Sequence, residues 1–161
     1  MCLLNRQPLT ANTFPMRTLS KLSLLAAATA ALHATGFTDA HTAAGVTAAR
    51  TYTQGVSADG TTSVGYAFGG TAYKIVGTTY TALANLSGGA SSFAYAASNN
   101  GSKIVGYAGD SGGQIQAVLW NGSSAPVLLD NTAYFTESAA RGISANGNTI
   151  VGWGHDVSTS T

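Results

Sequence analysis

The segment at residues 55–67, GVSADGTTSVGYA, returns as ASNNGSKIVGYA at 97–108 and as GISANGNTIVGWG at 142–154. A long-period recurrence restricts a fold more than any single residue does, because each copy has to be one small unit that buries its apolar face against the next. The turn glycines Gly60, Gly101 and Gly147 are 41 and then 46 residues apart. In every copy a Val-Gly pair begins four residues after the turn glycine, at Val64, Val105 and Val151. A fixed spacing held three times argues against chance hairpins in a Gly-rich chain. Units of roughly 40–50 residues with four strands each are the size of propeller blades.

The strands follow from alternation between turn signals. The first unit reads as a strand at 51–57 and a turn at Ala58-Asp59-Gly60. A second strand has one apolar face made by Val64, Tyr66 and Phe68. Strands at 71–76 and 79–83 follow the Gly69-Gly70 turn, and 85–92 is a loop. The second unit has strands at 93–98, 103–108, 116–120 and 125–129, with turns at Asn99-Asn100-Gly101, 109–113 and Asn121-Gly122. Residues 130–137 connect to a third unit, which begins at Ala139, turns at Asn146-Gly147 and runs through Ile150-Val151-Gly152-Trp153. Asp-Gly and Asn-Gly suit these turns because both residue types tolerate positive φ. Residues 155–161 read as a polar tail where another strand is expected.

Charged residues are only 8% of the chain, but 45% apolar content with regular β-branched and aromatic residues argues against disorder. Ahead of the repeats, Met16 opens MRTLSKLSLLAAATAALHATG. Arg17 and Lys21 form a positive start, Leu22 to Leu32 is an uncharged Leu/Ala-rich segment, and the small residues Ala34 and Thr35 follow. This is the layout of a secretory signal peptide, with translation starting at Met16 and cleavage expected after Ala34. The apolar segment is short of the roughly 20 residues a membrane span needs, and no cysteine follows it for lipid attachment. The expected domains are 1–34 (extension plus signal peptide), 35–50 (flexible mature N-terminus), 51–154 (β repeats) and 155–161 (polar tail).

From residue 35 onward four cations, Arg50, Lys74, Lys103 and Arg141, stand against six anions, a net of −2. There is no basic patch, which argues against a nucleic-acid partner. The single cysteine is Cys2, so the mature part has no disulfide and no thiolate metal site.

The three recurring segments resemble the HAF-repeat family of extracellular bacterial repeat proteins. In that family the stretch between copies typically reads His-Ala-Phe followed by an apolar residue and Trp. Here the stretch is Thr71-Ala72-Tyr73 in the first unit and Gln116-Ala117-Val118-Leu119-Trp120 in the second, both without the His. Residues 86–92, LSGGASS, are similar to the family's Leu-Gly-Gly-Ser-Ser connection. The resemblance covers about residues 50–154. It implies export and a β-propeller-like or stacked-sheet fold, and it implies no enzymatic activity. Some exported proteins of this type lie upstream of an outer-membrane barrel, which this sequence lacks.

Several residue sets carry candidate chemistry. Gly109-Asp110-Ser111-Gly112-Gly113 matches the nucleophile loop of trypsin-like proteases, where Ser is activated by a His that a buried Asp orients. The available histidines are His41 and His155, and the simpler reading makes this loop a longer version of the Tyr66–Gly70 hairpin connection. Asp59 and Asp110 are candidate Ca²⁺ ligands, though a turn Asp more often caps its own backbone. Glu137 with a distant Asp would make a glycosidase pair, against the reading of Glu137 as a solvated inter-unit loop residue. Tyr66, Tyr73, Tyr80, Tyr95, Tyr107, Trp120 and Trp153 are candidates for a carbohydrate-stacking face. Because Tyr66, Tyr107 and Trp153 share one repeat position, packing between sheets is the favoured role.

The expected fold is all-β, with repeated antiparallel four-stranded units arranged as propeller-like blades or an open stack. Two units and the opening hairpin of a third do not close a ring, since propellers need roughly 4–8 blades. The expected function is that of a secreted or surface-exposed bacterial repeat protein with a structural or binding role. Its partners would be protein or glycan at the cell surface, with self-association through open sheet edges. No catalytic, cofactor or metal residue is assigned. The alternatives are a secreted hydrolase using Asp110-Ser111, or a truncated fragment of a larger autotransporter-like passenger.

Overall fold

Among the described residues, runs of β-branched and aromatic residues set between glycine turns fold into ten strands and no helix. The computed structural model describes residues 50–129 and 134–156, all within one unit, Thr38–Thr161. The expected signal peptide, nearly all of the N-terminal stretch 35–50, and the tail beyond residue 156 lie outside the described residues. Strands β1 (Thr51–Val56), β2 (Thr62–Ala67), β3 (Thr71–Val76) and β4 (Thr79–Ala82) form one antiparallel sheet in sequence order. A second sheet has β5 (Ser92–Ala97), β6 (Lys103–Gly109), β7 (Ile115–Asn121) and β8 (Val127–Leu128), again in sequence order. Strands β9 (Phe135–Ile143) and β10 (Ile150–Asp156) pair as a hairpin.

The second sheet lies between the first sheet and the hairpin. Val64, Ala72 and Leu83 meet Ala94, Ala97, Ile104, Ala108, Val118 and Trp120 on one side. On its other side Val105 and Ala117 meet Ala140, with Leu119, Ile143 and Ile150 beside them. Trp120 is fully buried and donates its indole N–H to the Ala84 carbonyl at 2.8 Å. That bond satisfies the polar edge that burial would otherwise penalise.

The recurring turn is held by one set of hydrogen bonds, formed three times. The Ser57, Ser98 and Ser144 N–H groups donate to the carbonyls of Thr62, Lys103 and Thr149 at 2.8–2.9 Å. In return Thr62, Lys103 and Thr149 donate their N–H to the Ser57, Ser98 and Ser144 hydroxyls at 3.0–3.1 Å. Gly60, Gly101 and Gly147 close the turn on the serine carbonyl, with φ of 72°, 65° and 71°. Among the described residues only glycines take positive φ. Asp59, Asn100 and Asn146 do not take the positive φ expected of Asx residues here; each side chain instead caps the backbone, as the alternative reading of a turn Asp has it, accepting the N–H two residues on at 3.0–3.1 Å. The turns also join one another, since Asp59 N–H donates to Asn99 O and Asn99 N–H to Ala145 O.

The Val-Gly pair has an equally specific cause. Opposite it, β1, β5 and β9 each carry a bulge, and Gln54, Tyr95 and Arg141 are the residues left out of register. The bulge pushes a carbonyl across the pair. A Cβ on Gly65, Gly106 or Gly152 would collide with the backbone oxygen of Tyr52, Phe93 or Ala139. Only glycine leaves room for that approach.

Several expected boundaries shift. Phe68 is not part of the β2 apolar face; β2 ends at Ala67, and Phe68 sits 66% exposed in the connection to β3. The loop assigned to 130–137 gives way to strand from Phe135, because β9 pairs with β10 as far as Asp156. Glu137 is thus a strand residue opposite His155 rather than a loop residue, and His155 and Asp156 belong to β10 rather than to a polar tail. The strand expected at 125–129 is only Val127–Leu128, since Pro126 cannot donate to a ladder.

Two glycines separate backbone approach from turn conformation. Replacing Gly106, which faces the Phe93 carbonyl, by Ala is expected to cost about 3 kcal/mol, the upper end for overpacking. Gly122→Ala, at φ 67° with open space around it, should cost about 1 kcal/mol. Urea unfolding of both variants measures the difference.

Candidate binding surface

The protease-like loop joins β6 to β7, the place that Phe68–Gly70 holds between β2 and β3. Its geometry engages the carboxylate locally. Asp110 Oδ1 accepts N–H groups from Gly112 at 2.8 Å and Gln114 at 3.0 Å, and Oδ2 accepts the Gln116 amide at 3.4 Å. Ser111 is exposed and packs against Gly88 of the preceding loop. His155, on β10, has its ring nitrogen 3.6 Å from Glu137, with both side chains exposed. The structure thus brings Asp110 to its own loop and Glu137 to His155, and neither arrangement orients a base toward Ser111. His41 and Asp130 lie outside the described residues. Among the described residues no three His, Cys, Asp or Glu side chains gather as a metal site.

Asp59 shows the same local engagement. The Ser57 hydroxyl donates to it at 2.5 Å, and the Thr61 N–H and hydroxyl donate at 3.0 and 2.8 Å. These donors, the Ser57 hydroxyl foremost, hold the carboxyl below its usual 3.8. The stability it contributes is present above pH 3.8 and is lost as pH falls through the lowered folded value. Asp59→Asn puts in the residue type present at Asn100 and Asn146. The variant should keep the turn and show a flatter loss of stability in acid, read from urea midpoints between about pH 2 and 5.

A row of aromatic rings runs from the first sheet to the second, and a cation from β9 continues it. Tyr52 stacks on Tyr66 at 4.9 Å, Tyr66 meets Phe93 at 4.6 Å, and Phe93 stacks on Tyr107 at 4.7 Å. Tyr107 meets Tyr95 at 5.8 Å, and the Arg141 guanidinium lies 4.1 Å above the Tyr95 ring. Tyr95 and Arg141 are the bulged residues of β5 and β9, so the same irregularity that requires glycine also aligns this pair. Apart from exposed Tyr52 and Arg141 the row is half-buried. Tyr73 and Trp120, by contrast, are fully buried and belong to packing. Trp153 shares the repeat position of Tyr66 and Tyr107 but is 37% exposed and meets His155 at 5.1 Å.

Burial, and then the neighbouring Tyr95, push the Tyr107 phenol up to about 12. A raised folded value means that its contribution to stability is complete below the ordinary 10.0 and is lost as pH rises toward 12. Tyrosinate absorbance should show a late-ionising phenol that Tyr107→Phe removes. Of this row the sequence points to Tyr66, Tyr95 and Tyr107; Tyr52 and Phe93 were not among the candidate aromatics, and the bulges at Tyr95 and Arg141 carry no composition signal.

No family model matches the chain, and no curated protein or solved structure is significantly similar to it.

Proposed function

We propose that the protein is an exported, surface-exposed bacterial repeat protein with a structural or binding role and no catalysis. The observation that carries this reading is the threefold recurrence of one hydrogen-bonded turn and one bulge-glycine contact in successive sheets. Such a plan reads as a stack of equivalent units in the manner of HAF-type repeats, as blades or as an open pile of sheets. Supporting the absence of catalysis, Asp59 and Asp110 are engaged with their own loops. Supporting binding, the row offers half-buried and exposed aromatic rings and one exposed cation, the composition that contacts sugars and protein side chains. Supporting export, the leader at 16–34 has the secretory layout.

Binding to insoluble polysaccharides and to bacterial cell-wall fractions is the direct test. The chain should bind one of them, and Tyr52→Ala with Arg141→Ala should weaken that binding about tenfold while leaving the melting temperature within a few degrees. Hydrolysis of generic peptide or ester substrates that disappears in Ser111→Ala would sink the non-catalytic reading.

A further inference from the structure

The connection between β6 and β7 is longer than its counterpart in the first sheet. Three residues join Ala67 to its cross-strand partner Thr71, and seven join Ala108 to its partner Gln116. Thr71 and Gln116 share a repeat position. Each precedes an alanine whose N–H goes to a serine hydroxyl of the next sheet, Ala72 to Ser92 and Ala117 to Ser138. The first connection, Phe68-Gly69-Gly70, has no carboxylate, whereas the extra length of the second brings Asp110 against Gln116.

Gln116 is 2% exposed, and its Oε1 is the one buried side-chain oxygen or nitrogen among the described residues that has no hydrogen-bond partner. Its Nε2 meets two oxygens, Asp110 Oδ2 and the Thr136 carbonyl, both at 3.4 Å. These contacts are longer than an ordinary N–H···O bond of about 2.7–3.2 Å. Asp110 Oδ1 is committed to the Gly112 and Gln114 N–H groups, which fixes the carboxylate and leaves Oδ2 turned to Gln116. Thr136 is the residue of β9 left out of register with β10, between Phe135 and Glu137. A buried acceptor without a donor calls for an occupant. The two ends of a carboxamide have the same shape, so a half-turn of the amide exchanges its oxygen and nitrogen.

We propose that Asp110 Oδ2, Gln116 Oε1 and the Thr136 carbonyl hold a Ca²⁺ ion, with the Gln116 amide turned over so that Oε1 takes the place of Nε2. The orphaned oxygen becomes a ligand, and the amide N–H₂ moves to a place where no donor opposes it. Spacing selects the ion. Oxygens at right angles around Ca²⁺, with bonds of about 2.4 Å, lie about 3.4 Å apart, whereas bonds of about 2.1 Å to Mg²⁺ bring them to about 2.9 Å. The 3.4 Å from the amide end to each of the other two oxygens fits the larger ion. Carboxylate, side-chain amide and main-chain carbonyl are the donors Ca²⁺ takes, and water completes its shell. With a single carboxylate the site is weak, with a Kd of about 0.1–1 mM, the range of extracellular modules. The ion ties β7 and the connection before it to β9, so it fastens the hairpin to the second sheet. The site shares no residue with the aromatic row and does not rest on the binding role argued above.

The test is thermal unfolding of the whole chain, followed by circular dichroism, in CaCl₂, MgCl₂ or NaCl at one ionic strength. CaCl₂ at about 5 mM should raise Tm by about 5 °C, because the ion binds the folded chain alone. MgCl₂ at the same concentration should raise it by less than about 1 °C. Asp110→Asn keeps an oxygen for the loop N–H groups and should lose the Ca²⁺ response. Gln116→Glu adds a second carboxylate, so it should lower Tm without Ca²⁺ and tighten the apparent Kd for Ca²⁺ about tenfold. If Gln116→Glu does not fold, wild type against Asp110→Asn decides alone. A wild-type Tm indifferent to CaCl₂ would overturn the site and leave Oε1 to a buried water. An equal rise in MgCl₂ or NaCl would overturn it as well. So would a rise retained in Asp110→Asn, which would assign the ion to other oxygens.

Discussion

The structure depends on a carbonyl passing directly over a glycine, three times. Tyr52 over Gly65, Phe93 over Gly106 and Ala139 over Gly152 are the contacts that let each first strand carry one extra residue. An extra residue resets the alternation of a strand, so the side chains beyond it change faces. In β5 this is how Ala94 and Ala97, three residues apart, both face the first sheet's core. The same economy of side chain recurs between sheets: a Cβ on Gly55 would meet the Tyr95 carbonyl, and one on Gly101 would meet Thr62. Low charge and abundant small residues are what permit sheets to approach this closely.

What was legible in the sequence was what local chemistry determines. The strand Thr71–Val76 and the turn glycines 60, 101 and 147 follow from alternation and from Asx-Gly pairs, and they appear as expected. Phe68 was misplaced because alternation alone extends a strand until something stops it. What stops β2 is the turn at Gly69 and Gly70, whose φ values of 95° and 81° end the ladder one residue earlier. Glu137 was misplaced for the opposite reason. Its neighbours Thr136 and Ser138 look loop-like, yet pairing with β10 makes them strand, and the Ser138 hydroxyl accepts the Ala117 N–H at 2.8 Å. The aromatic row was legible in part: Tyr66, Tyr95 and Tyr107 were candidates, Tyr52 and Phe93 join them as cross-strand partners of Tyr66 and Tyr107, and the bulges that bring Arg141 over Tyr95 have no periodic signature.

Burial likewise is not written in the motif. Three copies of Val-Gly-aromatic differ in exposure because burial of each depends on the sheet that follows it. Val64 is covered by the second sheet and Val105 by the hairpin, whereas Val151 has no comparable cover among the described residues. The sequence of a unit therefore specifies its turn and its bulge, while its place in the stack specifies its surface.

This separation also bears on what the polar residues of the recurring turn are engaged in. A nucleophilic serine needs a hydroxyl whose proton can be taken by a base. In the recurring turn each serine hydroxyl accepts a backbone N–H and donates to the side chain two residues on, at Asp59, Asn100 or Asn146. The acceptor need not be charged, since Asp and Asn serve in the same geometry. A site that used the carboxylate as a base would not tolerate that exchange. A turn that uses only its oxygen would, and all three copies keep the backbone N–H two residues on as a donor to it, while Asp59 accepts the Thr61 hydroxyl as well.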